Sequence, residues 1–210
     1  MGFNLVNKLL VITSFGSEWV LWILILLSVV SLGVIVERAI FYSRIRINFP
    51  NFSQDITQRL LEDDVKGIKS ICLASPAIES QTILRGLQYS EKGVGAMEQS
   101  MTGFLNGEKQ KLDHGLIILG TLGSNAPFIG LFGTVIGIIQ AFSDLASHPA
   151  GGPSVVMAGI SEALISTAVG LIVAIPAIIA FNGYSRVVKR KISNSEAMKS
   201  LLIAHFSHEG

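Results

Sequence analysis

Glu162 is the residue of this 210-residue chain whose setting most directly suggests chemistry. It is the one formal charge in the 41 residues from Leu145 to Ser185. An ionised carboxylate deep in a bilayer costs about 3 kcal/mol on insertion scales, so such a group faces a bundle interior, a water-filled cavity or a partner. A carboxyl group so placed can take up and release protons. The alternative is a wetted position at the outer interface, since Glu162 lies only about two turns into its apolar segment. Two hydroxyls belong with it. Counting from His148, Thr134 stands 14 residues before and Glu162 stands 14 after. In two antiparallel helices joined near His148 they therefore share a depth. Thr167 lies about one turn deeper and roughly 140° around the helix from Glu162, whereas Ser166, one turn on, shares its face more closely.

Other chemistry is poorly supplied. Cys72 is the single cysteine, which excludes an intrachain disulfide and every Cys-pair metal site. His114 and His148 fall at the ends of apolar segments, and His205 and His208 fall in the tail. Gly159-Ile160-Ser161-Glu162 lacks the second glycine of a nucleophile elbow. An intramembrane serine protease would need a histidine inside a span, and none is there. The sequence reads as a non-enzyme.

The elements that must position Glu162 follow from where charge is missing. Half the residues are hydrophobic and 15% are charged, with mean hydropathy +0.55. A water-soluble domain carries about 25% charge. From Leu116 to Ser143 there are 28 residues without a charge. These figures argue against a cytosolic enzyme and a disordered chain, and a net charge of +1 provides no basic field for nucleic acid. Crossing a bilayer takes about 20 mostly apolar residues. Three segments qualify, at 19–42, 116–142 and 155–184. Trp19 and Trp22 suit one interface of the first, and Phe41 and Tyr42 the other. A cleaved secretory leader is the alternative for that first segment; its long apolar run, the preceding Glu18 and the lack of a clean small-x-small cleavage site favour a span. Val6 breaks the N-myristoylation pattern.

Nine Lys and Arg lie between Arg44 and Lys111 and five in the tail, Arg186, Lys189, Arg190, Lys191 and Lys199. The loop at 143–154 has none and the N-terminus has only Lys8. The positive-inside rule then puts segment 1–18 and loop 143–154 outside, and insert 43–115 and tail 185–210 in the cytoplasm. The insert is too polar for lipid and reads as helical, with Ile56, Leu60, Leu61, Ile68, Ile71 and Cys72, and then Val94, Met97, Met101, Phe104 and Leu105, near helical spacing. Pro50 and Pro76 punctuate it. The expected fold is all-α integral membrane, with three spans and long cytoplasmic helical extensions.

Small residues recur along the last two spans. The second carries Gly120, Gly123, Pro127, Gly130, Thr134, Gly137 and Ala141, and the third Gly159, Ala163, Thr167, Gly170, Ala174 and Ala177. Lipid provides no hydrophobic drive between helices, so small residues mark faces of close approach. Two readings stand. The stripes pack these two helices on each other, or they face a shared axis holding another helix. Packing alone needs no hydroxyls, and Thr134 and Thr167 sit on the stripes. Pro127 and Pro176 lie inside spans, as hinges or as bends.

The stretch Gly123 to Phe142, GSNAPFIGLFGTVIGIIQAF, resembles the second-span signature of the MotA/TolQ/ExbB proton-channel family. Gly159 to Asn182, GISEALISTAVGLIVAIPAIIAFN, resembles its third-span signature. The layout, with three spans and a short N-terminus, is similar to ExbB and TolQ rather than to the four-span MotA. The resemblance implies a ring, a pentamer of this kind of subunit, around the single-span helices of ExbD- or TolR-like partners. Those partners supply the essential intramembrane aspartate. It implies that proton flow rotates one against the other and that the work passes to a TonB- or TolA-like arm spanning the periplasm. Matched position by position, the family's glutamate is Glu162, its two pore threonines are Thr134 and Thr167, and its prolines are Pro127 and Pro176. Gly123, Gly130, Gly137 and Gly170 would serve close helix packing, and also a smooth lumen.

The expected function is therefore a subunit of a bacterial inner-membrane motor, driven by proton motive force, for outer-membrane import or envelope maintenance. It needs no cofactor beyond the coupling proton. The alternatives are a motor for gliding or another surface process, and a non-conducting membrane scaffold.

Overall fold

A computed structural model describes residues 17–148 and 152–207. Residues 1–16 of the expected outer N-terminal segment, residues 149–151 of the expected loop, and residues 208–210 with His208 lie outside the described residues. Those described form helices and turns, with no strand among them. In order they are α1 (Glu18–Arg44), α2 (Phe49–Leu61), α3 (Val65–Leu73), α4 (Ile78–Leu87), a 3₁₀ turn at Ser90–Lys92, α5 (Val94–Asp113), α6 (Leu116–Ser147) and α7 (Gly152–Ser207).

Three of these helices are long and apolar enough to cross a membrane. α6 has 32 residues and α7 has 56. At 1.5 Å per residue these are about 48 and 84 Å long, well past the ~30 Å of a hydrocarbon core. A helix completes its own backbone hydrogen bonds and has no reason to end where lipid ends. Hence α6 continues to Ser147, into the stretch read as loop, and α7 continues through the stretch read as tail. Pro127 and Pro176 sit inside α6 and α7 without dividing either.

The chain forms two compact units. The first comprises residues 1–36 and 117–182. Its core joins Val20 and Leu24 of α1, Ala126 and Ile136 of α6, and Val173 and Ala174 of α7. Trp19 packs edge-on against Phe132. Large apolar side chains such as Trp22, Leu26, Val29, Phe128, Ile172 and Ile179 stay exposed, which suits a lipid-facing surface.

The second unit comprises residues 37–116 and 183–210. Its core gathers Phe52, Ile56 and Leu60 of α2, Ile68 and Cys72 of α3, Ile83 and Leu84 of α4, and Met97 and Met101 of α5. Met198 and Leu202 of α7 complete it. The tail is thus an integral helix of this bundle. Leu61 departs from the periodic reading at 83% exposure, because α2 ends there and Asp63 turns the chain with φ +53°. Asp64 then caps α3. Its carboxylate accepts from the Gly67 N–H at 2.9 Å and pairs with Arg59 at 2.6 Å, and the two contacts hold its carboxyl below the usual range. Gly115, with φ +79°, separates α5 from α6. The carbonyls this break leaves open accept from α1, Lys111 O from Arg38 at 3.3 Å and Leu112 O from the Tyr42 hydroxyl at 2.7 Å.

Candidate functional site

The small-residue stripes meet each other. A Cβ placed on Gly130 would lie 2.6 Å from Ser166 O and 3.2 Å from Gly170 Cα, and one on Gly170 would lie 2.7 Å from Ala126 O. Gly137 closes on Ala163, Gly159 on Ala141, and Gly123 on Ile178. These are contacts at which α6 and α7 approach nearly backbone to backbone, and only the absence of a side chain allows them. The glycines therefore serve a seam inside the chain. Within the chain these contacts match the packing reading of the stripes.

The hydroxyls lie in the same seam. Thr134 is buried, and its Oγ1 stands 2.5 Å from Thr167 Oγ1, 3.2 Å from Ala163 O and 3.3 Å from Gly130 O. Both threonines are thus hydrogen-bonded across the helix pair, a use for hydroxyls that packing by small residues does not by itself explain. The contact with Ala163 puts Thr134 within one residue of the depth inferred for Glu162. Ser166 differs from expectation. It is fully buried, its Oγ has no hydrogen-bond partner, and it packs under Gly133, whereas Glu162 is exposed. One helical turn shifts the face by about 40°, enough here to pass from the edge of the seam into it.

Glu162 opens into a polar cleft of about 300 Å³. Two further carboxylates line it, Glu18 at the start of α1 and Asp144 in the last turns of α6, with Gln140 and Ser17. Sequence reading left Asp144 in a loop. The continuation of α6 brings it to the cleft. Glu162 is thus wet, and the residue after it, Ala163, accepts from Thr134, which is buried and paired with the half-buried Thr167 about one turn deeper. The arrangement places a solvent-reachable carboxylate near a hydroxyl pair that bridges α6 and α7. Among the described residues there is no cluster of His, Cys, Asp and Glu able to hold a metal ion.

One pair of charged residues went unread in the sequence. Glu79 of α4 and Lys191 of α7 are both buried and lie 3.6 Å apart. Lys191 Nζ also donates to Ile45 O at 2.6 Å, joining α7, α4 and the chain just past α1. Burial holds the Lys191 ammonium below its ordinary range, opposed by Glu79. No periodic pattern marks such a pair, because charges at helical spacing read as a solvated face.

Comparison with known proteins bears on this arrangement. The chain is 40% identical over 105 residues to the biopolymer transport protein ExbB of Pseudomonas putida, covering 48% of this chain and 32% of that one. It is 38% identical over 110 residues to the Tol-Pal system protein TolQ of Pseudomonas aeruginosa, covering 52% and 43%. The chain thus spans less than half the length of these two relatives. With ExbB of Neisseria meningitidis serogroup B the likeness is 32% over 187 residues and covers 84% and 85%. Residues 74–197, more than half the chain, match the family described as the MotA/TolQ/ExbB proton channel family. That stretch contains the seam, the hydroxyl pair and Glu162. Three membrane-length helices, a cleft carboxylate near a pair of threonines joined across α6 and α7, and matches of this extent lead to one conclusion: this multi-pass membrane protein belongs to the MotA/TolQ/ExbB proton channel family.

Proposed function

We propose that this chain is the ExbB/TolQ-type subunit of a proton-driven motor in the bacterial inner membrane, with its N-terminus periplasmic and its C-terminus cytoplasmic. The observation that carries the reading is Glu162 in a polar cleft, next in sequence to Ala163, whose carbonyl accepts from Thr134 of the Thr134–Thr167 pair, within the family match. In this reading a ring of subunits, a pentamer, surrounds the single-span helices of an ExbD- or TolR-like partner. That partner brings the intramembrane aspartate. Glu162 exchanges protons with the cleft, and Thr134 and Thr167 mark the adjoining polar step. One charge crossing 100 mV releases about 2.3 kcal/mol, enough to drive a step over a small barrier. The work passes to a TonB- or TolA-like periplasmic arm.

The test reconstitutes the subunit with its partner in vesicles under an imposed proton gradient. Glu162→Gln keeps the side-chain shape and removes the ionisable group, and Thr134→Val keeps the volume and removes the hydroxyl. The expected result is proton flux reduced tenfold or more by Glu162→Gln and measurably by Thr134→Val, with assembly intact. Full flux in both assembled variants refutes the proton-path roles, and absence of flux in the assembled wild type leaves the non-conducting scaffold.

A further inference from the structure

The second unit holds a cavity of about 910 Å³ between the chain after α1 and the latter part of α7. Its lining is amphiphilic. Ile47, Phe49 and Val187 are apolar, and Arg46, Arg190 and Lys191 are cationic. Glu79 is the single acidic residue on the wall. It is spent on Lys191, which is in turn committed to Ile45 O, so the buried pair neutralises itself. That leaves Arg46 and Arg190. Both are exposed, and neither forms an ion pair among the described residues. The cavity therefore carries two uncompensated guanidinium groups over an apolar floor, with Asn194 and Ser43 as further polar lining.

Its depth can be worked out. Tyr42 and Tyr184 face each other with ring centroids 5.2 Å apart, aromatic residues of the kind that mark a membrane interface. Arg190 lies six residues past Tyr184 on the continuous helix α7, about 9 Å along its axis. The polar layer outside the hydrocarbon is roughly 5–7 Å thick on each side, and an arginine side chain reaches back several ångströms toward it. A guanidinium group at that height stands where lipid phosphates stand, and the apolar wall beside it suits the first methylenes of an acyl chain.

We propose that this cavity is a binding site for an anionic phospholipid, its headgroup phosphate held between Arg46 and Arg190 and its glycerol end against Ile47 and Val187. A guanidinium fork matches phosphate oxygens in pairs, which a zwitterionic headgroup offers only alongside a repelled ammonium. The proposal needs the membrane placement alone and does not depend on proton flux.

The test uses the purified full chain in mild detergent and counts retained lipids by native mass spectrometry. The probes are phosphatidylglycerol, phosphatidylcholine and, separately, inorganic phosphate. The wild type is expected to retain phosphatidylglycerol over phosphatidylcholine. The double variant Arg46→Gln/Arg190→Gln is expected to lose that preference by about thirtyfold, from the usual attraction of two basic side chains for an anionic headgroup. Both positions are exposed, and an unchanged helical signal shows that the variant folds. Lys189→Gln is the control, because Lys189 is exposed beside Arg190 but does not line the cavity, and it should retain lipid like the wild type. Equal retention of the two lipids, equal loss in Lys189→Gln, or full displacement by millimolar inorganic phosphate would each overturn the proposal.

Discussion

Replacing Gly130 by alanine tests the seam between α6 and α7. The added methyl would sit 2.6 Å from Ser166 O, 0.8 Å short of the 3.4 Å at which ordinary contact begins. The obstruction is backbone on both sides, since Thr167 Cα stands at 3.1 Å and Gly170 Cα at 3.2 Å, so no rotamer change relieves it. The helices must part by most of that distance. A gap of 0.5–1 Å forfeits a quarter to a half of each dispersion contact along the seam. The accommodation should cost about 2–3 kcal/mol, within the range for an overpacked interior. Gly103 in α5 is the reference, with nothing within 4 Å of the methyl that alanine would add there, and its alanine variant should gain up to about 1 kcal/mol of helix propensity. The assay is reversible unfolding in mixed micelles, followed by circular dichroism. Gly130→Ala should also weaken the effect of Gly170→Ala, because a seam opened once need not open again, so the double variant costs less than the two singles together. Gly130→Ala unfolding within about 0.5 kcal/mol of the wild type would show that the seam is not close-packed, and the reasoning fails.

Two further outcomes follow from the second unit. Glu79→Gln leaves the Lys191 ammonium buried without its counter-charge and should cost about 3–5 kcal/mol, while Glu79→Gln/Lys191→Met should recover most of it in a thermal double-mutant cycle, and strict additivity would contradict the ion pair. Burial without a charged partner pushes the Cys72 thiol up to about 12 from an ordinary value near 9.0. At pH 8 its labelling by iodoacetamide should run about a thousandfold slower in the folded chain than in denaturant, following the thiolate fractions. Because the folded state holds this proton more tightly, its contribution to stability is complete below about pH 9 and declines as pH rises toward 12. Rapid labelling of the native protein at pH 8 would contradict the burial.

The absence of charge from Leu116 to Ser143 was enough to place helices there, and counting from His148 put Thr134 within one residue of Ala163, the level it meets on α7. Periodicity also found Ile56, Leu60, Ile68, Cys72, Met97 and Met101. What escaped did so for physical reasons. Met198 and Leu202 lie in a stretch rich in Lys, Arg and Ser, where average polarity hides two anchors that need only one face of a helix. Glu79 and Lys191 look like surface charges until a second helix covers them. The use of the stripes could not be decided because small residues state that something comes close, and not what. Ser166 and Glu162 parted because an angle of about 40° has no meaning until the neighbouring helix is in place.

The seam also restricts how the gene can drift. A single base change in a glycine codon yields alanine, serine, valine, cysteine, arginine, aspartate, glutamate or tryptophan, and every one of them adds atoms. At Gly103 and Gly183, where a Cβ meets nothing within 4 Å, such changes find room. At Gly130 and Gly170 each of them meets the backbone of the facing helix. A library of all single substitutions should therefore trace the line of contact between α6 and α7 as a row of silent-only positions, readable from surviving sequences without any structure.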